Sequence, residues 1–149
     1  MADNDLLISW RTLPHVREWW GEPEPLTEDD LGDPRVARWI TEIDGEPFGF
    51  IQDYAVHGRA NHHFASLPKG SRGVDQYIGK PEFLGQGHGQ GMIRARMEEL
   101  FSKNTPFIAT DPHPDNARAI AVYRKLGFQI VGTPVKTKWG MILPMHASR

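Results

Sequence analysis

Four glycines at every second position, Gly85, Gly87, Gly89 and Gly91, stand directly before a stretch of helical periodicity. No other feature of the 149 residues constrains the fold as strongly. Glycine reaches backbone angles closed to other residues, so Gly85-Gln86-Gly87-His88-Gly89-Gln90-Gly91 predicts a tight loop. Met92, Ile93, Met97, Leu100 and Phe101 then repeat at helical spacing, with Arg94, Arg96, Glu98 and Glu99 mostly off that face. A bare loop running into a helix turns successive N–H groups, and the positive end of the helix dipole, toward one point. That arrangement favours a phosphate or pyrophosphate; a glycine-rich turn without a ligand is the other reading of the loop alone. A nucleoside-triphosphatase phosphate loop is excluded, because Gly89 is followed by Gln90-Gly91 and not by Lys and a hydroxyl residue. The dinucleotide fingerprint fits poorly, since a hairpin precedes the loop where a parallel sheet would open.

Composition narrows the class. Lys and Arg number 17 against 19 Asp and Glu, a net charge of -2, which excludes a dominant basic nucleic-acid arm or polyacidic tail. The chain has no cysteine, so disulfides, thiolate catalysis and cysteine zinc sites are out. No apolar run approaches the roughly 18 residues of a membrane span. Met1-Ala2-Asp3-Asn4-Asp5 lacks the basic-then-apolar pattern of a signal peptide. The expectation is one soluble cytoplasmic domain over residues 1–149, with neither nucleic acid nor membrane as partner.

Periodicity and turn residues predict the elements. Asp5 to Arg11 reads as a helix capped by Asp3 or Asn4, and His15 to Trp20 as a second one after Pro14, ended by Gly21. Thr27-Glu28-Asp29-Asp30 has the form of a capping box. Asp44-Gly45 marks a hairpin between a strand within Arg35 to Ile43 and one over Phe48 to Val56. Residues 58–70 read as a mobile loop and Gly73 to Gly79 as a strand. Beyond the glycine loop and its helix come a strand, Pro106 to Thr110, and a rigid turn through Pro112 and Pro114. A helix capped by Asp115 or Asn116 runs to Lys125 and stops at Gly127. Gln129 to Val135 and Trp139 to Leu143 are expected as the closing strands. The alternation predicts an α+β fold, a mixed sheet carrying helices.

Two blocks together resemble the GNAT superfamily of N-acetyltransferases. The first is Gly73-Val74-Asp75-Gln76 with Leu84-Gly85-Gln86-Gly87-His88-Gly89 and the helix after it, similar to the acetyl-CoA motif. The second is Thr110-Asp111-Pro112-His113-Pro114-Asp115-Asn116 with Tyr123-Arg124-Lys125 and Leu126-Gly127-Phe128. The superfamily spacing is met literally by Gln86, Gly89 and Gly91. The register Leu84, Gly87, Gly89 departs at its first position but starts the helix in the usual place, and is preferred. Val16 to Gly21, Asp44 to Gln52 and Gly73 to Gln76 look most like the aminoglycoside 6'-N-acetyltransferases, and the resemblance covers residues 5 to about 135. It implies a mostly antiparallel mixed sheet flanked by helices. The family usually opens on a strand before its first helix, whereas Asp5-Leu6-Leu7 falls inside the helix. The first strand is therefore expected to be missing: either the chain start is mis-assigned or shortened, or the sheet begins with an exposed edge that favours a homodimer or poor solubility.

The resemblance also implies roles. Acetyl-CoA would be co-substrate and a small-molecule amine the acceptor, with no metal. Leu84, Gly85, Gln86, Gly87, His88, Gly89 and Gln90 would hold the pyrophosphate. Gln76, Tyr77 and Ile78 would pair with the pantetheine arm and supply an oxyanion N–H, and Asn116 would hydrogen-bond the arm. Tyr123 would be the general acid toward the leaving thiolate, with Asp75 and Asp111 the carboxylates at the amine. Trp20 and Gln52, with those two acids, would contact substrate. Read without the resemblance, Asp111 is equally a turn residue, Tyr123 a core tyrosine and one of Trp19 and Trp20 a core anchor. Asp75 between apolar neighbours needs a partner more clearly. His57, His62 and His63 have no nearby acid or cysteine in sequence and read as a solvated loop, not a metal site.

Residues 58–69 contain no acid, and Lys136-Thr137-Lys138 stands where relatives present one, which weakens steering of a polycation. Asp75 and Asp111, with Asp53 or Asp115, are the acids left for the site. A less charged amine, such as a siderophore precursor, is therefore an alternative acceptor. A non-catalytic acyl-CoA-binding module is the alternative to an enzyme.

Overall fold

Asp44 and Gly45 adopt φ of 51° and 79°, the mirror-image turn that matches strand twist, and they fold β1 (Val36–Ile43) onto β2 (Glu46–Ala55). The computed structural model describes residues 2–57, 63–138 and 140–149. β3 (Arg72–Ile78) pairs antiparallel with β2, and β4 (Phe107–Thr110) lies parallel to β3. The six-stranded sheet runs β1-β2-β3-β4-β8-β5, where β5 is Gln129–Ile130 and β8 is Met145–Ser148. β6 (Val135–Thr137) and β7 (Gly140–Ile142) form a separate hairpin.

Strand alternation sends side chains to two packed faces. On one, Ile51, Val74, Ile108 and Met145 meet Met92, Ile93, Met97 and Leu100 of α4 (His88–Ser102) and Tyr123 of α5 (Ala117–Lys125). On the other, Phe50 and Tyr77 pack against Trp10 of α1 (Ala2–Arg11) and Val16 of α2 (Pro14–Trp20). A short α3 (Glu28–Leu31) carries the predicted capping box: Thr27 Oγ1 accepts from the Asp30 N–H, and Asp30 Oδ2 accepts from the Thr27 N–H. The fold is the expected α+β arrangement, a mostly antiparallel sheet between helices. Among the described residues no strand precedes α1, so β1 is an edge. No helix among them is long and apolar enough to cross a membrane.

Three expectations change. α1 begins at Ala2, so Asn4 is inside the helix and caps nothing. Its amide instead donates to Leu26 O and accepts from Leu26 N–H, clasping the proline-rich connection. The strand over Gln129 to Val135 breaks into β5 and β6 across Gly132, and β8, which was not expected, enters the sheet between β4 and β5. Met145 and Ala147 are buried there, but four residues after Pro144 carry too little alternation to announce a strand. Residues 63–70, part of the expected mobile loop, pack: Phe64 is buried with Tyr54, Val56 and Ala109. Residues 58–62 of that expected loop lie outside the described residues.

Candidate active site

β3 and β4 pair only at Arg72–Ile108 and Gly73–Ala109, then separate. Val74 O accepts from Thr110 Oγ1 at 3.1 Å, which latches the strands at the point where they part. Ile78 O is 2.8 Å from His15 Nε2, whereas the Gly79 N–H reaches back to Phe48 O on β2. Backbone groups of a strand alternate between its two sides. The N–H and C=O of Gln76 therefore face the gap, while those of Asp75 and Tyr77 belong to β2.

The gap continues into a cleft of about 620 Å³ lined by Gln76, Tyr77 and Ile78, by the loop before α4, by α2 along its length, and by the start of α5. Leu84, Gly85, Gly87, His88, Gly89, Gln90 and Asn116 all line it. Gly85 and Gly87 hold φ of 73° and 81°, and Gly87 is the N-cap of α4. The first helical bond runs from the Gly91 N–H to Gly87 O, so the N–H groups of His88, Gly89 and Gln90 head the helix beside the cleft. Gly91 is thus inside the helix and Gly87 at its mouth, as the register Leu84, Gly87, Gly89 expects. Gln86 turns its side chain back to Glu82 O and does not line the cleft. The His88 ring packs on Phe48 and Phe83, which pins the loop to β2.

Asn116 is the N-cap of α5, its Oδ1 accepting from the Ala119 N–H, and the amide NH2 is the group left to meet a ligand. His15 and Arg118 also line the cleft, and neither was expected as a site residue. Tyr123 is 4% exposed and hydrogen-bonds with the Thr110 and Gln76 side chains. Burial pushes its phenol up from 10.0 to about 12, and the charges of Asp75 and Asp111 add to the rise. Both acids thus act on the Tyr123 phenol through their charge. Thr110, 1% exposed, was not anticipated; it orients both Val74 O and the Tyr123 hydroxyl.

Asp75 lies opposite Gln52 in the β2–β3 ladder and accepts from its Nε2 at 3.1 Å. Asp111, at the end of β4, has its Oδ2 2.8 Å from His63 Nε2. The expectation that this histidine lacked an acid fails, because chain folding joins residues 48 apart in sequence. His62 lies outside the described residues, and His57 bonds Leu67 O. Among the described residues no cluster of three or more His, Asp or Glu is spaced to hold a metal ion. Trp20 lines the cleft but is anchored edge-on against Phe50 and Tyr77, with the Arg11 guanidinium 5.3 Å above its ring. Trp19 is the outward one, with its ring 5.6 Å from that of His113. Asp53, one of the acids left for the site by the sequence, is fully buried elsewhere, between Arg72 and Arg96.

In sequence and fold the chain matches known proteins. The family model described as an acetyltransferase (GNAT) domain matches residues 1–134. The chain is 35% identical over 147 residues to aminoglycoside N(6')-acetyltransferase type 1 of Klebsiella pneumoniae, covering 89% of this chain and 73% of that protein. A kanamycin resistance protein of Rhizobium radiobacter is 45% identical over 65 residues, 43% of this chain and 60% of that one. The crystal structure of aminoglycoside acetyltransferase AAC(6')-Ib with coenzyme A and kanamycin superposes with a TM-score of 0.88 at 33% identity, covering 99% of this chain and 90% of that one. The family model, the sequence identity and the shared fold show that this chain belongs to the GNAT acetyltransferase family.

Proposed function

We propose that the chain, as one acetyltransferase domain over residues 1–149, moves an acetyl group from acetyl-CoA to a primary amine of a small molecule. The observation that carries this is the parting of β3 and β4 beside the bare N-terminus of α4. The pyrophosphate would sit on the N–H groups of His88, Gly89 and Gln90, where the dipole favours negative charge. The pantetheine arm would pair with the Gln76 edge, and the Asn116 amide would donate to it. The Gln76 N–H then lies where a thioester oxyanion needs a donor.

The acceptor would arrive as an ammonium and lose its proton beside Asp75, directly or through water. Its nitrogen attacks the carbonyl carbon, the C–S bond breaks, the second N–H proton passes through solvent to the thiolate, and the products are an amide and coenzyme A. Tyr123, held neutral by its buried site, donates a hydrogen bond to the departing sulfur. A phenol near 12 is a weaker acid than a thiol near 8.5, so it stabilises the thiolate more than it fully protonates it. Trp20 and Gln52 would border the acceptor, and Asp111 would stand at its far side. The relatives named for aminoglycosides and kanamycin make those amines the first to test. A cytoplasmic location, and pairing of two copies along the β1 edge, complete the reading; sedimentation at rising concentration tests the second.

The deciding experiment is thiol release from acetyl-CoA across a panel of amines, with heat stability measured beside it. Turnover with at least one amine, lost about 100-fold or more in Asp75→Asn while acetyl-CoA still raises the melting temperature, supports the reading. Coenzyme A binding with no turnover on any amine would instead favour a non-catalytic acyl-CoA-binding module.

A further inference from the structure

Asp111, the Trp20 ring and Asp53, three features that would attract a polycation, are already met by the chain itself. Asp111 Oδ2 lies 2.8 Å from His63 Nε2, and both side chains are largely enclosed, at 16% and 13% exposure. One face of the Trp20 indole, the surface a cationic ring would cover, carries the Arg11 guanidinium at 5.3 Å. That guanidinium also donates to Trp20 O and Glu22 O, which fixes it there. Asp53 points to the opposite face of the sheet, bound by Arg72 at 2.7 Å and Arg96 at 2.5 Å. The described charges along the cleft are one acid, Glu18, and one arginine, Arg118. Asp75 accepts from the neutral Gln52 amide.

We infer that the acceptor site selects an amine bearing one ammonium, flanked by neutral polar groups, over a polycation, and that His63 sets this choice by covering Asp111. The inference rests on the acetyl-transfer reading. A single ammonium needs one carboxylate; each further cation on the acceptor needs another, and meets an imidazole or a guanidinium instead. Long-range steering contributes little to such an acceptor, so its capture depends weakly on salt.

The test measures kcat/KM by acetyl-CoA-coupled thiol release for 6-amino-6-deoxyglucose and for kanamycin, at about 10 and 200 mM salt. The expected result is a kcat/KM for the monoamine at least equal to that for kanamycin, changing less than about threefold with salt. His63→Glu is expected to raise the ratio of the kanamycin kcat/KM to the monoamine kcat/KM about tenfold. His63→Gln keeps a donor for Asp111, and is expected to leave the ratio unchanged. A wild-type preference for kanamycin of tenfold or more that collapses with salt overturns the inference. So does a His63→Gln variant with the His63→Glu phenotype. Absence of thiol release with every amine, together with no thermal stabilisation by acetyl-CoA, overturns the acetyl-transfer reading and this inference with it.

Discussion

At the residue scale, Tyr123 and the glycines give the sharpest expectations. The Tyr123 phenol is raised to about 12 because its buried site disfavours the anion. Its folded value lies above its unfolded value of 10.0, so its contribution to stability is complete below pH 10 and is lost as pH rises toward 12. Tyr123→Phe should therefore unfold less steeply with alkali over that window, as followed by circular dichroism. The same variant should lose about 100-fold in kcat, with the KM for acetyl-CoA within about threefold. Gly87 and Gly91 separate loop from helix. Gly87 holds a positive φ, so Gly87→Ala should strain the loop by about 1–2 kcal/mol and raise the KM for acetyl-CoA. A methyl on Gly91 would meet open space within α4, so Gly91→Ala should stabilise by about 0.5–1 kcal/mol in thermal melts without affecting that KM. Equal damage from both would refute the register that starts the helix at His88. These residues were legible because turn and helix chemistry is local. Thr110 and His63 were not, since their roles come from partners 36 and 48 positions away.

At the element scale, the helix that heads the cleft is tied to the sheet by charge as well as by packing. Arg96 of α4 and Arg72 of β3 converge on Asp53 of β2, and Arg96 lies 5.1 Å from the Trp39 ring of β1. Removing the carboxylate leaves two enclosed guanidinium groups facing each other. Asp53→Ala should cost about 3–5 kcal/mol in urea unfolding. The damage should exceed that from losing the exposed Arg35–Asp33 pair, which is worth about 1 kcal/mol or less. Helices were readable from apolar spacing and the β1–β2 hairpin from Asp44-Gly45. From the sequence alone Asp53 stays an alternative to Asp115 as a further acid for the site, because a sequence shows that a residue is acidic, not which face of a strand it takes. The pairing of Gln52 with Asp75 fixes that: the neighbour one residue on must point the other way.

At the scale of the whole molecule, the closing strand was the least legible and among the most consequential parts. β8 joins β4 to β5, pairing with β5 at Met145 and His146, and Met145 is completely enclosed. Met145→Ala should cost about 2–5 kcal/mol, read from the urea midpoint, as expected for truncating a large core side chain. Nothing near Pro144 distinguishes such a strand from a frayed end until a whole sheet exists for it to join. The expectation of an α+β fold survived this omission because β2, β3 and β4 with α4 and α5 already frame the core.

The short seam between β3 and β4 carries a wider consequence. A sheet that parts after two residue pairs is left with a gap that, under the proposed reaction, the substrate's own arm would fill as a temporary strand. Under the proposed reaction, loading acetyl-CoA completes the sheet and releasing coenzyme A opens it again, once per turnover. Amide exchange at Gln76 should accordingly slow by an order of magnitude or more when coenzyme A binds, while Tyr77, bonded to β2 throughout, changes little. Catalysis would then be audible in the backbone as a rhythm of pairing and unpairing, with the cofactor counted among the strands.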